Sequence, residues 1–252
     1  MLTRIINKEK LKKLYSNNGF FVIPKLFKQV DLEKITEELL NVKTVIRYND
    51  KKNNLRRIEK IYDKSETLIS IHQELLKVLE NLFSSKFTLF KDKINLKPPG
   101  GEGFFCHYDG IFHFKDKNNF LRNGWYYYAS NFFNILVAID ESNKENGTIE
   151  IANSHKGSFE SLLENTYKDG TPNLKADVEK KLEFKVIDLN PGDVLIFKNT
   201  CPHRSAKNNG KNQRRSLYYT YNYLKDGSHY DKYFLDKNES KNTTNKSLEG
   251  ES

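Results

Sequence analysis

The sequence predicts a mainly β fold, a sandwich or barrel of short strands with helices packed on it. Apolar residues recur at helical spacing through the first third of the chain, and the pattern becomes extended after residue 86. The extended segments are rich in β-branched and aromatic residues and are separated by Gly, Pro, Asn or Asp. The chain has 252 residues, the length of one large or two small domains.

Three helices are predicted before residue 86. Asn7 is suited to cap the first, which should end at Gly19, and the apolar run that follows predicts a strand at Phe20–Ile23. Asp31 is expected to cap the second helix. A third helix is predicted over about 65–83, because leucines and an isoleucine recur there every three or four residues.

Six further strands are predicted after the helices. A tight turn at 190–193 (NPGD) separates two of them, with Pro and Gly each in a suitable position. Beyond residue 235, only Leu248 is a large apolar side chain, so 236–252 is expected to be a disordered tail that follows one domain at 1–235. The predicted strands are 87–96, 131–139, 148–151, 184–189, 194–197 and 214–223.

The charge of the chain is uneven. The formal net charge is +9, and residues 1–100 carry all of this excess, with 21 Lys/Arg against 12 Asp/Glu. The cations are interspersed with acids, which favours solvated helix faces over a nucleic-acid interface. We expect no apolar run of membrane length, no secretory signal and, with two cysteines, a cytoplasmic protein without a disulfide framework. The expected partner is a small molecule, and the sequence does not define the oligomeric state.

One histidine motif has the spacing of a metal site. His107 and Asp109 are two residues apart, so in an extended segment their side chains share one face. Joined by a distant histidine, such a pair matches the two-His, one-carboxylate site of non-haem Fe(II). A second triplet, His229 to Asp231, follows the last predicted strand and no histidine comes after it. We therefore interpret the second triplet as a surface turn.

His203 is the candidate for the distant ligand, because it comes just after a predicted strand. Arg214 begins the next strand, and its planar guanidinium is suited to binding a carboxylate through two hydrogen bonds. Ser205 lies between them. Arg215 would face the other side of the same strand. Zn²⁺ in the same ligand set, as a hydrolytic site, is an open alternative that leaves Arg214 and Ser205 without a role.

Four stretches in order and spacing resemble the phytanoyl-CoA dioxygenase family of Fe(II)/2-oxoglutarate-dependent oxygenases. They cover 93–217 and are 93–99 (KINLKPP), 107–109 (HYD), 146–156 (NGTIEIANSHK) and 191–217, which holds PGD, HRS and RRSL. The resemblance implies a double-stranded β-helix, the cupin-like jelly roll, backed by N-terminal α-helices. It also implies Fe(II), 2-oxoglutarate and O2 as cofactor and cosubstrates.

The resemblance assigns roles to particular residues. It implies His107, Asp109 and His203 as catalytic iron ligands. It implies Arg214, Ser205 and Asn95 as contacts of 2-oxoglutarate. Because the segment after the triplet covers the active site in this family, the candidate substrate contacts are Arg57, Tyr108, His113 and Trp125.

The expected activity is that of an oxidoreductase, a hydroxylase of a small polar metabolite. Segments 90–95 and 145–150 most resemble the branch that hydroxylates 2-aminoethylphosphonate, and Arg57 is suited to an anionic group. Halogenases of this family lack the carboxylate ligand, so the presence of Asp109 favours hydroxylation. Two alternatives stay open: a biosynthetic oxygenase acting on an amino acid, sugar or natural product, and a non-catalytic binding module on the same fold.

Overall fold

Two antiparallel sheets form a sandwich in the computed structural model, which describes residues 7–50, 53–116, 118–164 and 172–249. The larger sheet has seven strands in the order β1-β11-β8-β13-β4-β3-β2. Its strands are β1 (Phe20–Ile23), β2 (Ile46–Asn49), β3 (Leu55–Glu59), β4 (Phe87–Lys97), β8 (Phe132–Ala138), β11 (Val194–Lys198) and β13 (Arg214–Tyr223).

The smaller sheet has four strands in the order β10-β9-β12-β5. These are β5 (Phe104–His107), β9 (Ile149–Ile151), β10 (Lys185–Val186) and β12 (His203–Ser205). A separate two-stranded ribbon, β6 (Phe114–Lys115) and β7 (Leu121–Arg122), follows β5. Apolar residues from both sheets, including Leu136 and Phe197 from the larger and Ile151 from the smaller, form one buried cluster that joins them. This arrangement confirms the predicted jelly-roll fold.

Helices cover the outer face of the larger sheet. The longest, α4 (Glu66–Phe83), is capped by Ser65, whose side chain accepts a hydrogen bond from the Leu68 amide. Its buried leucines pack against Leu217 of β13 and other outward-facing residues in the main core. Strand side chains alternate, so the other residues of β13 point into the space between the two sheets. These inward-facing residues are Arg214, Ser216, Tyr218 and Thr220.

The first helix and strand are as predicted. Helix α1 (Lys8–Asn18) begins after Asn7, whose side chain accepts a hydrogen bond from the Lys10 amide at 2.9 Å. It ends at Gly19 with φ +88°, where a Cβ would lie 2.5 Å from the Cys201 sulfur. Glycine is required here by both the backbone conformation and the close approach.

The second predicted helix is wrong in detail. Residues 29–40 form two short helices, α2 (Gln29–Leu32) and α3 (Ile35–Leu40), and Asp31 lies inside the first instead of capping it. Strands β2 and β3 were also not predicted. Each is only four or five residues long and neither is rich in buried apolar residues; β3 pairs with the edge of β4, and β2 pairs in turn with β3. A last short helix, α5 (Ala176–Glu179), precedes β10.

Helix α6 (Tyr230–Glu249) occupies most of the segment expected to be a disordered tail. Asp236 accepts a hydrogen bond from the Tyr128 hydroxyl at 2.7 Å, and Lys237 pairs with Glu59. At Asp236 and Lys237 the structure differs from this expectation, because their partners lie more than 100 residues away and leave no local signal. Residues 250–252 lie outside the described part of the chain. Within that part, no helix combines the length and apolar character needed to cross a bilayer.

Candidate metal centre

Three predicted ligands converge at the open end of the sandwich. His107 on β5 lies directly opposite His203 on β12, and the two imidazole rings are 4.4 Å apart between centroids. Asp109 follows β5 with one oxygen 3.9 Å from His107 Nε2 and the other 3.7 Å from His203 Nε2. One ligand atom from each of the three lies within 4.8 Å of the others. Among the described residues, this is the one such group of three.

The two histidines present the same nitrogen to the centre. Nδ1 of His107 is 2.7 Å from the carbonyl oxygen of Phe105, and Nδ1 of His203 is 3.1 Å from that of Cys201. A carbonyl can only accept, so each Nδ1 carries the proton and each Nε2 lone pair is free to bind a metal. This chemistry of the donor set fits a first-row divalent metal such as Fe(II).

Electrostatics keep the ligands in their metal-binding forms. Burial, with a contribution from the neighbouring His203, lowers the pKa of His107 to about 4. Burial alone would raise the pKa of Asp109, but His203, His107 and two nearby lysines lower it to about 2. At neutral pH, His107 is therefore neutral and Asp109 is ionised, as metal binding requires.

Two asparagines hold Asp109 in place. The Asn134 side chain donates to the Asp109 carboxylate at 2.9 Å, and its own carbonyl accepts from Thr220. The Asn199 side chain donates to the Asp109 backbone carbonyl at 3.2 Å, and the Asn199 backbone carbonyl accepts from the Asp109 backbone amide. Neither asparagine was singled out from the sequence. Each lies in or next to a predicted apolar strand, where a buried amide is itself an unusual signal.

A cationic end of the cavity lies on the inner face of the larger sheet. Arg214 is buried, and its Nε makes no hydrogen bond within the described part of the chain. It sits opposite the buried Lys97, whose ammonium donates to Ser205 Oγ at 2.9 Å. The described residues offer neither cation a carboxylate within ion-pair distance. The guanidinium donates a long hydrogen bond of 3.4 Å to Ser142 Oγ, and its free Nε beside a buried lysine fits an anionic ligand such as a carboxylate.

Arg215 faces the opposite side of the sheet, as the strand alternation predicts. Its guanidinium forms a two-pronged pair with Asp140, with contacts of 2.9 and 2.7 Å. It also reaches the Thr36 hydroxyl on the helical layer. Arg215 is therefore separated from the cavity by the sheet itself.

Asn95 and Arg57 meet on neighbouring strands of the inner face. Arg57 Nε donates to Asn95 Oδ1 at 3.2 Å, and its Nη1 lies 3.5 Å from Glu59. Asn95 lies opposite Ser216, which is two residues along β13 from Arg214 and on the same face of the strand. The structure therefore places Asn95 and Arg57 together in the same cavity.

The other predicted substrate contacts have different surroundings. Tyr108 is buried on the far side of β5, where its ring packs edge-on against Phe159 at 4.9 Å. Its predicted contact with substrate is not supported by this placement, because the alternation that turns His107 and Asp109 inward turns Tyr108 outward. His113 lies half-buried in the irregular segment after Asp109 and outside the three-ligand group. Trp125 is buried, with the Lys91 ammonium 4.7 Å from its ring centroid.

Comparison with known proteins agrees with this architecture. The family model of phytanoyl-CoA dioxygenase (PhyH) matches residues 15–216. The chain is 35% identical over 162 residues to a 2-aminoethylphosphonate dioxygenase from the uncultured bacterium HF130_AEPn_1, covering 64% of this chain and 56% of that protein. It is 31% identical over 153 residues to a methylphosphonate hydroxylase from Gimesia maris, covering 60% and 52%. The matches thus span about half the length of these curated relatives.

Solved structures share the fold at lower sequence identity. EctD from S. alaskensis, crystallised with 2-oxoglutarate and 5-hydroxyectoine, superposes with a TM-score of 0.63 at 18% identity, covering 86% of this chain and 76% of EctD. The non-haem α-ketoglutarate-dependent epimerase SnoN from nogalamycin biosynthesis superposes with a TM-score of 0.64 at 16% identity, covering 86% and 84%. The family match covers most of the chain, including all three predicted ligands. The chain belongs to the phytanoyl-CoA dioxygenase (PhyH) family.

Proposed function

We propose that this protein is an Fe(II)/2-oxoglutarate-dependent hydroxylase of a small anionic metabolite, with a phosphonate as substrate, built as a single domain over 1–235. The observation that carries the proposal is the presence of two sites on the facing inner surfaces of the two sheets. The three-ligand group lies at the end of the smaller sheet, and the buried Arg214, whose Nε makes no hydrogen bond among the described residues, lies on the larger one. A hydrolytic zinc site would use only the first of these.

His107, Asp109 and His203 would hold the metal. Bound there, Fe(II) with 2-oxoglutarate and O2 would supply the oxidising power to hydroxylate a substrate C–H bond. The chain provides the positioning. Asn134 fixes the Asp109 carboxylate, and the backbone carbonyl beyond each imidazole fixes which nitrogen faces the centre.

Arg214 would bind the far carboxylate of 2-oxoglutarate. Its environment supports this role, because the buried Lys97 lies opposite it and donates to Ser205 Oγ, and a bound carboxylate would favour the protonated form of this lysine. Burial and the nearby guanidiniums of Arg214 and Arg56 lower the pKa of Lys97 to about 6. An incoming carboxylate would relieve this repulsion between cations and orient the cosubstrate towards the metal ligands.

Phosphonate as the substrate is supported by two independent observations. The two curated relatives are named for 2-aminoethylphosphonate and methylphosphonate. The inner face of the cavity also carries more cations than one dicarboxylate would neutralise, namely Lys91, Lys93 and Arg57 in addition to Lys97 and Arg214. An anionic substrate next to an anionic cosubstrate requires such an excess.

Anaerobic titration tests the cofactor assignment. Adding Fe(II) and 2-oxoglutarate should produce a weak visible charge-transfer band that is absent in His107→Ala. The matched control is His113→Ala, which changes a histidine outside the three-ligand group and should keep the band. A band that survives His107→Ala contradicts the ligand assignment.

Oxygen uptake across a panel of compounds tests the substrate. With Fe(II) and 2-oxoglutarate present, methylphosphonate or 2-aminoethylphosphonate should stimulate uptake and succinate formation, whereas amino acids and sugars should not. Stimulation by an amino acid or a sugar alone would instead indicate the biosynthetic alternative. If no compound stimulates uptake and 2-oxoglutarate is not consumed, the proposed activity is wrong.

A further inference from the structure

Two lysines on the inner face of β4 hold ammonium groups for which the chain supplies no acceptor. Lys91 is 9% exposed and Lys93 is half-buried. In the described part of the chain, neither ammonium donates a hydrogen bond or approaches a carboxylate within ion-pair distance; Lys91 lies over Trp125, and Lys93 lies 4.9 Å from the Tyr218 ring centroid. Withdrawing an ammonium from water without acceptors is costly, so such a pair indicates a ligand.

The acids nearest to these lysines are already engaged. Glu59 accepts from the Lys237 ammonium and the Tyr48 hydroxyl. Asp92, on the other face of β4, accepts from three consecutive backbone amides, the closest being those of Ile61 and Tyr62. Asp109 accepts from an asparagine amide and belongs to the metal centre. Glu59 and Asp109 act on Lys91 and Lys93 through their charge, yet among the described residues no acid accepts a hydrogen bond from either ammonium. The hydrogen-bonding capacity of both ammonium groups is therefore open to a ligand.

Position along the sheet separates Lys91 from the cosubstrate. Arg214 lies opposite Lys97, whereas Lys91 is in the cross-strand row of Asn134, the residue that holds Asp109. Lys91 and Lys97 are six residues apart on one strand, about 20 Å along its length. A five-carbon dicarboxylate bound at Arg214 is much shorter than this separation, so it would not reach Lys91.

We propose that Lys91, with Lys93 beside it, binds the oxyanion group of the substrate and so selects phosphonates over neutral metabolites. This inference rests on the proposed function and assigns the residue that recognises the substrate. A lysine ammonium is a compact charge with three rotatable donors, suited to a tetrahedral oxyanion. Trp125 forms the wall beneath it and keeps bulk water from the charge.

Equilibrium binding without turnover tests the proposal. The full chain is loaded with Ni(II) in place of Fe(II), and calorimetry measures the affinity for methylphosphonate, for its neutral dimethyl ester and for 2-oxoglutarate. In Lys91→Met, methylphosphonate should bind at least 10-fold more weakly, and 2-oxoglutarate should bind within 3-fold of wild type. Lys91→Arg should restore part of the lost affinity, and Lys77→Met, an exposed lysine on α4, should bind both as wild type does.

Folding of the variant is checked separately. Because Lys91→Met removes a buried charge without a partner, the ligand-free variant should melt at the same temperature as wild type or higher. A large fall in melting temperature would show that the lysine serves the fold and would overturn the proposal.

Three further outcomes would also overturn it. In the first, Lys91→Met binds methylphosphonate as tightly as wild type does. In the second, wild type binds the neutral dimethyl ester as tightly as methylphosphonate. In the third, Lys91→Met loses as much affinity for 2-oxoglutarate as for methylphosphonate. The proposed function fails differently, through absence of the charge-transfer band and of 2-oxoglutarate consumption in the wild-type protein. If both persist while Lys91→Met binds phosphonate normally, the lysine assignment alone is wrong.

Discussion

The side-chain amide of Asn134 donates a hydrogen bond of 2.9 Å to the Asp109 carboxylate. The same asparagine accepts from the Thr220 hydroxyl at 2.8 Å, so its own orientation is fixed by the neighbouring strand. The orientation of the Asp109 carboxylate is therefore fixed by strand β8 in the interior of the larger sheet, although Asp109 itself follows β5 of the smaller sheet.

Replacing Asn134 should weaken metal binding while sparing the fold. We expect Asn134→Leu to lower Fe(II) or Zn(II) affinity by about 10- to 100-fold, the usual effect of losing a hydrogen bond to a metal ligand. Competition with a chromophoric chelator measures this. The control is Asn131→Leu, an exposed residue just before the same strand, which should bind metal as wild type does. Equal affinities of the two variants would contradict the role of Asn134.

The two adjacent arginines should differ sharply in their effect on 2-oxoglutarate. We expect Arg214→Ala to weaken its binding at least about 30-fold, because it removes a buried charged partner. Arg215→Ala should change binding less than 3-fold and instead lower the unfolding free energy, since it breaks the pair with Asp140 on the helical side. Calorimetry and chemical denaturation separate the two effects, and equal losses of affinity would contradict the assignment.

The metal-free protein should lose stability as the pH falls below neutral. The pKa of His107 is lowered to about 4 in the folded protein, against about 6.5 for an unperturbed histidine. Between pH 6.5 and 4 the unfolded chain therefore binds more protons, and the unfolding free energy falls by up to about 1.4 kcal/mol per pH unit. Urea denaturation of wild type and His107→Gln measures this. The unfolding free energy of His107→Gln should fall less between pH 6.5 and 4 than that of wild type. An identical pH dependence of the two proteins would contradict the role given to His107.

Lys97 should also make the unfolding free energy rise with pH, but over a higher pH range than His107. Its folded pKa of about 6 lies below the ordinary 10.5, so from pH 6 upward the unfolded chain binds more protons and the unfolding free energy rises with pH. Lys97→Met should flatten this rise between pH 6 and 9 in denaturation measurements. Lys77→Met on the surface of α4 is the control and should keep the slope of wild type. A rise that persists in Lys97→Met would show that another group titrates there.

Tyr108 should matter for stability and not for substrate. Its ring lies in a buried cluster with Cys106, Ile111 and Leu174. Tyr108→Phe should leave the KM for phosphonate within 2-fold, whereas Tyr108→Ala should cost about 3 kcal/mol or more of unfolding free energy. Steady-state oxygen uptake and denaturation measure the two. A large rise in KM for Tyr108→Phe would return this residue to the cavity.

The sequence predicts the site better than it predicts the surroundings of the site. The spacing of His107 and Asp109 defines which side chains share a face, and this local rule holds in any extended segment. His203 and Arg214 begin later strands; antiparallel pairing places His203 opposite His107 in the smaller sheet and Arg214 opposite Lys97 in the larger one. The same alternation could have excluded Tyr108, which lies between two residues that face inward.

The residues that the sequence missed act through long-range pairing. Lys91, Lys93 and Lys97 alternate with apolar or acidic residues on β4, and this period of two was a visible sign of a polar inner face. Asn134 gave a weaker sign, a single amide in an otherwise apolar strand. Strands β2 and β3 gave almost none, because β3 forms by pairing with the edge of β4 and β2 by pairing with β3.

Helix α6 sets a limit on how far the chain could be shortened. Burial alone would raise the pKa of the fully buried Glu59, but Lys237, followed by Lys91 and Arg57, lowers it to about 2. The family match stops at residue 216, and β13 ends at Tyr223. A protein cut at either point would retain every metal ligand yet would leave a carboxylate in the interior without its main counter-charge. We therefore expect a protein cut before Lys237 to unfold more easily than one that keeps the first two turns of α6.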